Sequence, residues 1–163
     1  MDDIREFSWR NLNVRRDKKY EWLVERFCPS DAGHDPIFRY IKDFMVFAAF
    51  VGFHYDKYVP LEASDTIPIT LNTYSTDRKD YNIYLLALIR SKDPEILKNE
   101  RLSEAVKIFE AYSNGGLQVI ADWLESNAKD PSGIDTLLQH IHTEIFDVSE
   151  EEQAGSNLDD LEF

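Results

Sequence analysis

Residues Phe44-Met45-Val46-Phe47-Ala48-Ala49-Phe50-Val51 form an unbroken apolar run. It is too short for the roughly 20 residues that a membrane helix requires. It continues a helical spacing made by Ile37, Phe38, Ile41, Met45, Ala48 and Ala49, which begins behind Asp35-Pro36, an N-cap followed by a first-turn proline, and stops at Gly52. A helix that is apolar on every side belongs in the middle of a fold. The spacing therefore predicts a central helix with the remainder of the chain packed around it.

Towards the N-terminus, Arg15-Arg16-Asp17-Lys18-Lys19 leads into Tyr20, Leu23, Val24 and Phe27, spaced by three and four, which predicts an amphipathic helix ended by Cys28-Pro29. On the other side, Tyr58 to Leu61 and Ile67 to Leu71 are short β-prone pieces separated by polar turn residues, predicting a small β-hairpin near residues 57–74. Pro60 and Pro68 cannot donate ladder hydrogen bonds, so both strands should be edges. Helix resumes at Asp80 with Tyr81, Tyr84, Leu85, Leu88 and Ile89 on one face, and Asp93-Pro94 opens a short turn. Leu102, Ala105, Val106 and Phe109 predict a helix that stops at Asn114-Gly115, with Gly115-Gly116 as a corner. Beyond it, Val119, Ile120, Trp123 and Leu124 mark a further helix, and Ile134, Leu137, Leu138, Ile141 and Ile145 a last one over 132–146. The fold class expected is mainly α: a compact domain of about six helices with one minor hairpin. It should occupy residues 1–146, with 1–14 as a loose arm and 147–163 as an acidic flexible tail.

The 163 residues carry a formal charge of -13, but Lys129 is the last basic residue and ten Asp or Glu follow it, leaving -3 for residues 1–129. The acidity is a property of the C-terminal segment rather than of the folded part. A single cysteine, Cys28, forms no internal disulfide, and four scattered histidines do not make a zinc module. The acidic, polar start lacks the basic-then-apolar pattern of a signal peptide. A cytoplasmic protein is expected.

No residue pattern points to catalysis, a cofactor or a metal. His140 and His142 lie about 200° apart on a helix and cannot share an ion, while His140 and Glu144 are an ordinary i, i+4 surface pair. Cys28 has no histidine near it in sequence, and no phosphate-cradling glycine loop occurs. The candidate partner-binding residues are Arg15, Arg16, Lys18 and Lys19 beside Tyr20 and Trp22, and the acidic Glu150, Glu151, Glu152, Asp159 and Asp160. Two alternatives stand beside docking to a protein. One is a DNA-binding regulator using the basic segment; the other is a divergent metal-dependent nuclease, for which Asp43 and Glu110 would be the acids to test.

Several stretches together resemble the Dnd system-associated protein 4 family, encoded near DNA phosphorothioation genes. They are Asp17 to Leu23 (DKKYEWL), Tyr40 to Phe53 (YIKDFMVFAAFVGF), Val59-Pro60-Leu61, and Ile108 to Leu117 (IFEAYSNGGL), so the likeness covers about residues 15–126 and leaves the acidic segment outside. It implies a role beside an anti-phage modification and restriction system that replaces a non-bridging phosphate oxygen of DNA with sulfur and restricts DNA lacking that mark. No catalytic motif comes with it. The combined expectation is a non-catalytic accessory that docks to a larger protein of that machinery, with no membrane contact.

Overall fold

The structure is a computed structural model that describes residues 9–30, 33 and 35–144. Strand β1 (Asn13–Asp17) is followed by α1 (Glu21–Phe27), α2 (Ile41–His54), β2 (Thr66–Thr70), α3 (Leu71–Ser75), α4 (Asp80–Ser91) and α5 (Leu102–Ser126). A sixth helix, α6, covers residues 134–144. Short 3₁₀ turns at Trp9–Asn11, Lys18–Tyr20, Pro94–Leu97 and Asn99–Arg101 connect them. The protein is thus mainly α with one small antiparallel sheet, as the apolar spacing predicts. The expected acidic tail lies outside the described residues, as do residues 145 and 146 of the last expected helix.

The chain divides into two compact units, Met1–Ala121 and Asp122–Phe163; α5 belongs to the first as far as Ala121 and contributes its last turn to the second. In the first unit α2 is the buried helix that its sequence foretells: no residue from Ile41 to Gly52 is exposed. Phe44 packs on Phe27 and Phe38, at ring-centroid distances of 5.5 and 5.2 Å. Helix α2 begins at Ile41, later than Asp35-Pro36 suggests. Phe38 N–H donates instead to the Phe27 carbonyl at 3.2 Å, and its ring covers Phe44 and Phe47, so a tertiary anchor displaces the first local turn.

The largest correction concerns Gly115-Gly116. They form no corner: α5 runs through them without a break, and every residue from Phe109 to Leu117 is buried. The glycines serve close approach. A Cβ on Gly116 would lie 1.7 Å from the Ala48 carbonyl oxygen, and one on Gly52 would lie 2.0 Å from that of Tyr112. The backbones of α2 and α5 therefore touch directly at this crossing, an approach only hydrogen at Cα permits. Two polar neighbours that also suggest a turn are consumed by packing. Ser113 Oγ donates to the Met45 carbonyl at 3.4 Å, and Asn114 Nδ2 to that of Val59 at 3.2 Å.

The hairpin is corrected in its pairing. A strand does form within 57–74, at Thr66–Thr70, but its partner is β1, in the register Val14↔Ile69 and Arg16↔Ile67. Tyr58 to Leu61 is irregular, because Val59 N–H donates to the Ala111 carbonyl at 3.1 Å while its own carbonyl accepts from Asn114, so α5 takes the groups a hairpin would need. With only two strands in the sheet both are edges, which Pro68 in β2 requires; β1 carries no proline, and Pro60 lies outside any strand. Leu71 leaves the sheet with its N–H on the Leu12 carbonyl at 2.7 Å, and α3 buries Leu71 and Tyr74.

Within the second unit, Asp130 organises the start of α6. Its Oδ2 accepts from Thr136 N and Thr136 Oγ1, both at 2.8 Å, and its Oδ1 from Gly133 N at 3.2 Å. These bonds stabilise its ionised form and hold its carboxyl below the usual carboxylate range.

Candidate docking site

The basic segment lies on a strand and a 3₁₀ turn, where period-2 alternation separates its side chains. Arg16 points inward, 5% exposed, with its guanidinium on the Glu21 carboxylate at 3.0 Å. Arg15 points outward, 45% exposed, and is held by Glu110. Its backbone N–H donates to Glu110 Oε1 at 3.2 Å, and its Nη2 lies 3.7 Å from Oε2. Arg15 N–H can reach Glu110 because the Arg15↔Pro68 pair is a position of the ladder that exchanges no hydrogen bonds, so this N–H points away from β2.

Lys18 and Lys19 are exposed and pair with Asp65 and Asp17 at 3.4 and 3.5 Å. Tyr20 is buried, and the Lys19 ammonium sits over its ring at 4.9 Å. Trp22 is half-buried with the Arg26 guanidinium over it. All four expected bases thus have acidic partners, and the members that reach solvent are Arg15, Lys18 and Lys19. Glu150, Glu151, Glu152, Asp159 and Asp160 lie outside the described residues.

Where Arg15 meets α5 there is a cleft of about 260 Å³ lined by Leu12, Asn13, Arg15, Ser103, Val106, Lys107 and Glu110. Ser103, Lys107 and Glu110 come to one helix face through their i, i+4, i+7 spacing, and β1 supplies the opposite wall. Glu110 is 3% exposed. Burial raises its carboxyl above the usual range, opposed by the hydrogen bond from Arg15 N and by the Arg15 charge. The cleft is therefore an acid sunk into the wall with two bases, Arg15 and Lys107, at its rim. Its Ser103 and Lys107 were not among the sequence candidates. Their spacing on α5 is visible in the sequence, but nothing local reveals that β1 lies across from them.

The inward Arg16 neighbours the half-buried Cys28 and the fully buried Tyr74. Arg16 acts electrostatically on both Cys28 and Tyr74, favouring their ionisation, while Asp43 acts on both in the opposite sense. Burial dominates: it pushes the Cys28 thiol up to about 11 and the Tyr74 hydroxyl higher still. Both shifts favour the protonated, weakly nucleophilic form. Asp43 lies 3.6 Å from Lys79 Nζ, and Glu110 is held by Arg15. Among the described residues no three His, Cys, Asp or Glu side chains are placed to hold one metal ion. In the second unit His140 stacks flat on Trp123, centroids 4.2 Å apart. No helix among the described residues is long and apolar enough to cross a membrane.

Fold and surface together define a small, mainly helical protein in which α2 and α5 cross in direct backbone contact and the bases of β1 and the turn after it are paired with acids. The chain belongs to the DNA sulphur modification system-associated protein 4 family, whose sequence model matches residues 13–160. The match takes in most of the acidic C-terminal segment, which the likeness of individual stretches leaves outside. The family's description associates its members with a DNA sulphur modification system. No curated protein and no solved structure matches the chain.

Proposed function

We propose that this protein is a non-catalytic accessory of a DNA phosphorothioation-linked modification and restriction system, and that it acts by docking to a larger protein of that machinery. The observation that carries this reading is the cleft with Arg15 and Lys107 at its rim and Glu110 in its wall. Glu110 fixes Arg15 in position before any partner arrives, so less side-chain entropy is lost on binding than for a free arginine. Such a rim suits a carboxylate on a partner's loop, with Ser103 and Asn13 as further hydrogen-bonding groups. The intramolecular pairing of Arg15, Arg16, Lys18 and Lys19 favours a protein partner over a phosphate backbone, since affinity for DNA draws on bases free to release counterions.

The test is affinity purification of the full chain from its native host at physiological salt. Proteins of the sulphur-modification system should co-purify, and the charge reversal Arg15→Glu with Lys107→Glu should remove them and weaken protection in a phage challenge. Absence of a complex, or a complex indifferent to the reversal in a folded variant, sinks the proposal.

A further inference from the structure

The side of α4 turned to solvent carries three large apolar residues one helical turn apart: Tyr81, Leu85 and Ile89, at 60%, 47% and 44% exposure. They form a ridge about 12 Å long on a single helix face. Exposed apolar residues are common singly; three in register on one helix form a contact surface, and no described residue covers it. A base stands at each end. Arg78 precedes the helix and Lys92 is its C-cap, and among the described residues neither side chain has an ion pair or a hydrogen bond.

Both bases occupy left-handed backbone, with φ of 64° and 55°. Glycine takes that conformation without strain, and a side chain there costs stability. A lysine after a helix is also favoured by the helix dipole, but Arg78, at the other end, opposes it. The acids near these bases are already engaged. Asp77 pairs with Lys42 at 3.0 Å, Asp93 with Arg101 at 2.6 Å and Glu95 with Lys98, while Asp80 is buried. Arg90, over the Tyr58 ring at 4.0 Å, adds a further positive charge to the same helix. The ridge therefore lies in a positive field.

We propose that this face of α4 docks an acidic segment of a partner protein, one that carries two or three large apolar side chains flanked by Asp or Glu. The apolar side chains would cover Tyr81, Leu85 and Ile89, and the acids would meet Arg78 and Lys92. A second copy of this chain docking through its own α4 fits poorly. Antiparallel self-pairing of α4 about a two-fold axis sets Arg78 against Lys92, and parallel pairing sets each base against itself. Nucleic acid fits poorly too, because Leu85 and Ile89 neither stack on bases nor hydrogen-bond to them. This surface shares no residue with the cleft at Arg15 and is tested independently of it.

The experiment places a photo-crosslinking phenylalanine analogue at position 85 of the full chain in its native host and identifies the captured peptide by mass spectrometry. The same probe at Glu125 serves as the control. The expected result is one dominant peptide from another protein, with net negative charge and at least two large apolar residues. Its yield should fall about fivefold or more in the variant Arg78→Gly with Lys92→Gly, which removes both rim charges. Because glycine suits both backbone positions, that variant should melt no lower than the parent, which separates loss of docking from loss of fold. The proposal is overturned by a capture no greater than at position 125, by capture of a second copy of this chain, of lipid or of nucleic acid, by a peptide without acids, or by a yield that the double glycine variant leaves unchanged.

Discussion

Replacing Gly116 by alanine distinguishes a glycine needed for close approach from one that merely interrupts a helix. In an open helix the substitution stabilises by about 1 kcal/mol, since alanine loses less backbone freedom on folding. Here the new methyl carbon would sit 1.7 Å from the Ala48 carbonyl oxygen, half of the 3.4 Å at which ordinary contact begins, and 2.9 Å from Gly52 N. Those neighbours are backbone, so no side chain can rotate away. Helix α2 has to withdraw by more than about 1 Å from α5, loosening a crossing where both helices are buried; overpacking of this kind costs about 1–3 kcal/mol or more. Because the clash is with backbone the upper end of that range applies, so after the helix-propensity gain of about 1 kcal/mol a net loss of about 2 kcal/mol is expected, or roughly 4–8 °C in melting temperature for a chain of this size. Urea unfolding followed by circular dichroism measures it. Gly33→Ala, with nothing within 4 Å of its Cβ, is the control and should stay within about 0.5 kcal/mol of the parent. Gly52→Ala acts at the same crossing, so the double variant should lose less than the sum of the singles. A Gly116→Ala protein as stable as the parent, or more so, would refute the direct backbone contact.

The Cys28 thiol, pushed up to about 11 by burial, should react with iodoacetamide at about pH 8 roughly 100-fold more slowly than in the urea-unfolded chain; equal rates would contradict its burial. Burial raises the Glu110 carboxyl above 4.5, so its favourable contribution is complete below that value and is lost as pH rises through the folded-state value. The stability of the parent relative to Glu110→Gln should accordingly decline as pH rises above 4.5, and parallel curves would remove the assignment. Arg16→Ala strips the inward guanidinium from Glu21 and should cost about 1–3 kcal/mol in chemical denaturation, whereas Lys18→Ala, at an exposed pair, should cost less than about 0.5 kcal/mol. The reverse ranking would show that β1 is not placed as described.

What the sequence determined on its own is the set of features that depend on neighbours along the chain. The centrality of Phe44 to Val51, the end of α1 at Cys28, the start of α4 at Asp80 and the turn at Asp93-Pro94 follow from apolar spacing and capping chemistry, and each appears in the structure. The likeness of scattered stretches to the family is likewise a property of the sequence, and the family's sequence model matches the chain. What only the tertiary structure decided is what lies across from each residue. Glycine at a corner and glycine at a crossing look alike in a sequence, and Ala48 was needed to tell them apart. Arg15 and Arg16 read as neighbours in one basic patch, yet strand alternation sends one to Glu110 and the other to Glu21. β1 is separated from β2 by some fifty residues, and the nearer piece around Val59 is hydrogen-bonded to α5 instead. The physical reason is common to all three: periodicity and capping are short-range properties of the backbone, while close approach, register and charge pairing are settled only when distant segments compete for the same groups.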